Sequence, residues 1–378
     1  MANTLTNLIP DLFAALDTVS REQIGFIPAV TLDAGASRAA LNQTVRSAIA
    51  PASTASDITP GVTPPNDGDQ SVGNASITIT KARRVPVRWN GEEQLGVNSG
   101  QGYLSIRANQ FAQAMRTLCN EVEADIAALY KTTARAYGTA GTTPFATAGD
   151  YSDAAFVRQI LVDNGAPISD LQLVINTTAG ATFRGKQSQA QMAGDVSMQR
   201  QGVLLDLHGM SVRESAQVKN HTKGTGASYQ SNFASGYAIG ATALAVDTGT
   251  GTVLAGDILT FTGDTNKYVN ATALSGGSLT IGAPGLRATL ADNVAMSVGN
   301  NYAANMAFAR SAIVLATRAP ALPEEGDVAT DRMMITDPRS GLTFEVAVYP
   351  QYRQVQYEIS IAWGVANVKP EHSAILLG

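Results

Sequence analysis

The residues with the clearest chemical potential are Gly180, Gly185 and Lys186. Their spacing fits the first seven positions of a phosphate-binding loop, whose backbone amides cradle phosphate oxygens while the lysine reaches toward the terminal phosphates. A predicted strand, Leu171 to Ile175, precedes them, and a short helix is predicted from Thr178. Val203, Leu204, Leu205 and Asp206 then imitate a strand ending in a magnesium-coordinating aspartate. Two features work against this chemistry. Gln187 stands where a Ser or Thr must hold magnesium, and the second strand starts too soon for a full crossover helix. A nucleotide-binding enzyme built on Gly180, Gly185 and Lys186 is therefore the alternative reading.

Other groupings reduce to structure. A hydrolase triad needs Ser, His and an acid, but no G-x-S-x-G elbow occurs. His208 falls at a strand end, His221 in a polar loop and His372 near the C-terminus, and all three are expected to be ordinary surface or turn histidines. Asn66, Asp67 and Asp69 lack the sixth-position glycine and distal Glu of a calcium loop. Asp257, Asp264 and Asp292 occupy turns, where Asp bonds its own backbone. Cys119 follows the apolar Leu118 and reads as a packing residue. No catalytic residue, metal site or cofactor is expected. Lys81, Arg83, Arg84 and Arg88 lie on one predicted strand beside Trp89. With Glu92, Glu93, Glu324 and Glu325 they are the expected contacts between subunits, because charge pairs at an interface suit them better than nucleic acid does.

Composition agrees. The chain has 378 residues, of which 44% are hydrophobic and only 15% charged, with 35 glycines and a net charge of −5. So few charges leave little to keep a free surface soluble, as expected if partners cover it. The acidic balance argues against a chain built mainly to grip nucleic acid. A single cysteine excludes an internal disulfide. No targeting segment or membrane span is visible, and folding in a reducing cytoplasm is expected.

Along the chain, Leu5, Leu8, Leu12, Leu16 and Val19 recur at helical spacing, and Asp33 to Ile49 reads as short helical or extended chain. Residues 50–74, with Pro60, Pro64 and Pro65, form a loop or arm. Ile77, Ile79, Val85, Val87 and Trp89 alternate as in a β-ribbon. Phe111, Met115, Leu118, Val122, Ile126 and Leu129 step by three and four, predicting a helix from Ser105 to Tyr137 stopped by Gly138 and roughly 45–50 Å long. Residues 151–218 read as α/β. Residues 222–301, rich in Gly, Thr, Ala and Ser, alternate short strands with turns, predicting an inserted β-barrel or sandwich. Strands resume with an apolar stretch from Met306 to Thr317, then Met333 to Thr336, Leu342 to Tyr349 and Val355 to Val365.

This order of parts, carried by several stretches, resembles the tailed-phage major capsid proteins of the Hong-Kong-97 fold. More narrowly, it resembles the coat proteins of short-tailed Salmonella phages that carry an inserted β domain. The matching stretches are residues 1–22, residues 85–94 (VPVRWNGEEQ), residues 110–130 (QFAQAMRTLCNEVEADIAALY), residues 251–269, residues 284–293, residues 306–324, residues 337–352 (DPRSGLTFEVAVYPQY) and residues 362–377.

The resemblance implies an α+β capsid fold in seven parts: an N-terminal arm (1–70), an extended β-loop (71–103), a spine helix with peripheral lobe (104–149), a first part of the axial lobe (150–221), the inserted β domain (222–301), a second axial part (302–325) and closing strands (326–378). It further implies a structural, non-enzymatic subunit that self-assembles as pentamers and hexamers into an icosahedral head around double-stranded DNA. A scaffolding protein, a portal and a decoration protein are implied as partners, with no membrane, and the subunit would be assembled in the bacterial cytoplasm and end in the virion. A phage tail or adhesin β module is the further alternative, although it leaves the long helix unexplained.

Overall fold

The structure, a computed structural model, describes residues 24–378 apart from 36, 50–54, 64–68, 70–72, 98–101, 148–150, 188–203, 205 and 338–339. Readings that fall on residues 5–19, Pro64, Pro65, Asn66, Asp67, Val203 and Leu205 lie outside the described residues. The chain is α+β.

Its first layer is a six-stranded sheet built around one long strand, Gln354–Asn367. Thr343–Gln351 and Lys81–Asn90 run antiparallel to the first part of that strand, and Ile313–Arg318 runs antiparallel to the last part. Thr31–Ala34 adds in parallel beside Ile313–Arg318, and Asp331–Thr336 closes the other side. The segment from Asp33 to Ile49 is thus extended, with strands at Thr31–Ala34 and Thr44–Ile49 and no α-helix.

The long helix, Gly102–Ala127, lies on this sheet. Phe111, Met115, Leu118, Val122 and Ile126, the stripe read from the spacing, are all buried against Val87, Trp89, Tyr357, Ile359, Ile361 and Trp363. Phe111 meets the Tyr357 ring edge-on at 5.3 Å. Each such burial stabilises the fold by about 1.5–3 kcal/mol, which is what fixes the helix to the sheet.

The helix is shorter than the stripe predicted, 26 residues and so about 39 Å long. A 3-10 turn, Ala128–Thr132, ends it. Thr132 and Thr133 donate their hydroxyls back to the carbonyls of Leu129 and Tyr130, at 2.8 Å each, which competes with further helical bonding. Arg135–Tyr137 is then taken as a strand by two neighbours, Lys267–Ser275 and Ser373–Leu377. Gly138, with φ at +99°, leaves that strand and does not cap a helix.

The second sheet has twelve strands and runs continuously from the α/β lobe into the insert. In the lobe, helices Ser152–Asp163 and Thr177–Gln187 pack with strands Leu171–Ile175, Met210–Glu214, Tyr302–Ala309 and Ser373–Leu377 around Phe145, Phe183 and Leu161. Leu207 is not a strand residue. It bridges Met210 across a tight turn in which His208 and Gly209 both have positive φ. In the insert, Ile258–Phe261, Ala295–Val298, Tyr229–Ser231, Ala243–Asp247, Ser278–Ile281 and Lys267–Ser275 pair in that order, and the last pairs back to the first. The insert is a closed six-stranded antiparallel barrel with Leu259, Tyr268, Leu279 and Ile281 inside. Closure removes the edges that an open small sheet would expose.

A separate hairpin, Thr44–Ile49 with Gly73–Thr78, is rooted on the first layer through Ile77 and Ile79 and pairs with no third strand among the described residues.

Candidate interaction surfaces

The basic strand Lys81–Asn90 lies along the long helix, and three of its cations meet carboxylates within the chain. Lys81 Nζ donates to Asp125 Oδ1 at 2.8 Å and sits 5.8 Å from the Trp363 ring. The Trp363 indole donates to the other Asp125 oxygen at 2.9 Å. Arg83 lies 3.6 Å from Glu121, and Arg84 pairs with Glu358 at 2.6 Å. Trp89 is buried and donates to Gln110 Oε1 at 2.8 Å. The Arg83 and Arg84 pairs are more than half exposed on the arginine side, so each is worth about 0.2–1 kcal/mol. Arg88 is exposed at the same edge.

At the strand's end, Glu93 has a local task. Its carboxylate accepts from the Asn90 amide at 3.0 Å while Asn90 Oδ1 accepts from the Glu93 amide at 2.7 Å, a reciprocal capping pair that starts helix Gly91–Val97. Glu92 is exposed beside it, and Glu324 and Glu325 are exposed on the loop after Pro323.

Exposed apolar residues mark two further surfaces. Ile58 is 98% exposed and Val62 fully exposed, on a stretch with neither helix nor strand between the two strands of the hairpin. Tyr352 and Leu95, 88% and 77% exposed, flank a groove of about 720 Å³ between residues 90–94 and 350–355.

Two buried polar clusters escaped the sequence reading. In the first, the Glu123 carboxylate on the long helix accepts from the amides of Ile27, Phe26 and Gly25 at 2.7, 3.0 and 3.4 Å and from the Ser215 hydroxyl at 2.8 Å. It binds the N-terminal segment to the helix and to the strand end at Glu214. Gly25 is required there because an added Cβ would fall 2.7 Å from the Glu214 carbonyl oxygen. Burial pushes the Glu123 carboxyl above the usual range, more strongly than the Ile27 and Phe26 amides pull it down.

In the second cluster, His221 is buried rather than lying on a surface loop, which corrects the sequence expectation. Its Nε2 is 2.8 Å from Asp257 Oδ1 and its Nδ1 is 2.8 Å from the Tyr130 hydroxyl. Because a carboxylate only accepts, Nε2 carries the proton that bridges to Asp257. Asp257, fully buried, also accepts from the amides of Gly224 and Leu254 at 3.0 and 2.6 Å. Burial first, and Asp257 second, push the Tyr130 hydroxyl up to about 12. The cluster joins the end of the long helix (Tyr130), the entry to the insert (His221) and the barrel (Asp257).

The phosphate-loop reading is not supported. Gly180 and Gly185 lie inside helix Thr177–Gln187, not in a loop before it. The Gly180 amide is spent on Asn176 O at 2.9 Å, and a Cβ at Gly180 would lie 2.7 Å from the Glu214 carboxyl carbon. Lys186 is buried, with its ammonium 5.6 Å from the Tyr151 ring centre. The Gly180 amide is therefore not available to cradle a phosphate, and the helix that carries both glycines is not the loop this chemistry needs. Cys119 is buried as expected. Among the described residues no group of three His, Cys, Asp or Glu could hold a metal, and no helix is long and apolar enough to cross a membrane.

No protein-family model matches the chain, and no curated protein matches it. Solved structures do. The capsid of cyanophage P-SCSP1u is 13% identical over 92% of this chain and 86% of that one, with a TM-score of 0.48. The virus-like particle from Pyrococcus furiosus is 11% identical over 98% and 99%, at 0.46. The mature capsid of bacteriophage PhiM1 is 10% identical over 93% and 86%, at 0.43.

Proposed function

We propose that this chain is a major capsid protein of a tailed bacteriophage, a structural subunit that assembles with copies of itself into an icosahedral head enclosing double-stranded DNA. The observation that carries this reading is the hairpin Thr44–Ile49/Gly73–Thr78 with the exposed stretch around Ile58 and Val62. A two-stranded hairpin is marginal alone, and fully exposed β-branched residues on an unpaired stretch gain burial only against another molecule. Repeating one such contact around symmetry axes gives a closed shell. The low charge fraction supports the same conclusion.

In this reading the helix-bearing sheet is the peripheral lobe, the α/β lobe is the axial lobe, and the barrel is the inserted domain. Arg83, Arg84, Arg88, Glu92, Glu324 and Glu325 are exposed and face neighbours, while Lys81 and Trp89 hold the ribbon to the helix. Scaffolding protein, portal and decoration protein are the implied partners, with the virion as the final location.

The double variant Arg83→Glu, Arg84→Glu tests the ribbon. It places like charges beside Glu121 and Glu358, at a cost of at most about 1 kcal/mol each at these exposed sites. The expected result is a folded chain, unchanged by circular dichroism, with assembly reduced at least tenfold in sedimentation velocity. Normal assembly of the variant would remove the ribbon's charges from the interface.

A further inference from the structure

We propose that the cleft between the barrel and the α/β lobe is an oxyanion-binding site, for a phosphate or carboxylate group. The cleft has a volume of about 460 Å³ and is lined by Arg135, Lys267, Asn266, Gln159, Thr139 and Phe156, among others. It forms where strand Arg135–Tyr137 of the body pairs with Lys267 and Tyr268 of the barrel, and Arg135 and Lys267 both line it.

Positive charge there exceeds what the protein compensates. The Arg135 side chain is 7% exposed, yet only its Nη1 makes a hydrogen bond, to Asn266 Oδ1 at 2.7 Å. Its Nε and Nη2 are buried and make no hydrogen bond of ordinary length. Asp163, a carboxylate lining the cleft, forms a long ion pair with Nη2 at 3.6 Å that partly offsets the cost of burying the guanidinium, and it is itself 40% exposed. Asp264, nearby on the barrel, is spent on Asn266 and on the Tyr268 hydroxyl. Arg287 adds a further positive charge against Arg135. Lys267 gives one N–H to the Gly138 carbonyl and keeps two more.

Native chains rarely leave a buried guanidinium this poorly matched. Burial lowers the affinity of both Arg135 and Lys267 for their protons, and an anion between them would reverse that penalty. Charge-assisted bonds from a guanidinium fork and an ammonium are the usual means of holding an oxyanion. Phe156, stacked on Tyr137 at 4.7 Å, gives the cleft one apolar wall and room for a group larger than a bare ion. The inference does not depend on the assembly reading.

The oxyanion has two possible sources, a free phosphate or an acidic side chain of a second copy. Isothermal titration of the dilute full-length chain with inorganic phosphate, at constant ionic strength in chloride, separates them. Saturable binding that weakens about tenfold or more in Lys267→Gln, persists in Lys267→Arg and is unchanged in Lys223→Gln (an exposed lysine outside the cleft) supports a free oxyanion. No binding by the dilute chain, with self-association that phosphate and Lys267→Gln both suppress, supports a neighbour's carboxylate. Neither phosphate binding nor Lys267-dependent association, or binding equal in wild type and Lys267→Gln, overturns the proposal. Lys267→Arg keeps the charge, so its behaviour shows whether a loss in Lys267→Gln is misfolding.

Discussion

Glu123→Ala is expected to release the N-terminal segment from the long helix and to destabilise the fold by about 3–5 kcal/mol. The carboxylate accepts from three successive backbone amides and the Ser215 hydroxyl, with Phe26 and Ile27 buried beside it. Removing it strands buried donors, each worth about 1–3 kcal/mol when left unmet. Hydrogen exchange at the Phe26 and Ile27 amides should accelerate by more than a hundredfold, with denaturant unfolding at a lower midpoint. Unchanged protection would show that apolar packing alone holds the segment.

Glu123→Gln gives a second reading. Burial raises the carboxyl's folded-state pKa above the ordinary 4.5, so the folded chain holds that proton more tightly than the unfolded chain does. The stability this group contributes is therefore fullest below 4.5 and falls as pH rises through the raised value. Wild type should lose stability across that window, and Glu123→Gln, which cannot ionise, should lack that part of the slope.

Asp257→Ala is expected to loosen the barrel from the body. The substitution leaves the Gly224 and Leu254 amides and His221 Nε2 without their acceptor inside a closed site. A loss of about 2–4 kcal/mol follows from two buried donors, His221 Nε2 and the Gly224 amide, and one partly buried, the Leu254 amide. Because the cluster sits at the junction, the loss should fall on barrel docking first. Calorimetry should split the unfolding transition, and limited proteolysis should cut near residues 222–226 before the body is attacked. Asp257→Asn keeps one oxygen and should lose about half as much. A single transition at wild-type temperature in Asp257→Ala would mean that the Lys267–Tyr268 ladder alone holds the barrel in place.

What the sequence made legible was periodic. The stripe from Phe111 to Ile126 and the alternation of Ile77, Ile79, Val87 and Trp89 put the helix and ribbon where they lie, because burial enforces period. Strand Leu171–Ile175 and most barrel strands were equally readable between their turns. Long-range choices were not. Nothing in Ala134–Tyr137 distinguishes it from the last turn of a helix, and only Lys267–Tyr268 and Ala374–Leu376 make it a strand. Tyr229–Ser231 is too short to show a period of its own.

The functional clusters hid for a related reason. Glu123 follows the apolar Val122 and looks like its neighbour Glu121, and only the fold brings Gly25–Ile27 onto it. Asp257 reads as a turn residue, which it also is, and its partner His221 lies 36 positions earlier in the chain, with Tyr130 a further 91 before that. The glycine–lysine spacing misled in the opposite way, since Gly180 serves close packing against Glu214 inside a helix.

The central claim is that copies of this chain close into a shell. Negative-stain electron microscopy of the full-length chain, expressed alone and with its neighbouring genes, tests it most directly. The account predicts closed or aberrant shells, or rings of five and six subunits, in at least one sample. A well-folded monomer at high concentration in both would contradict it.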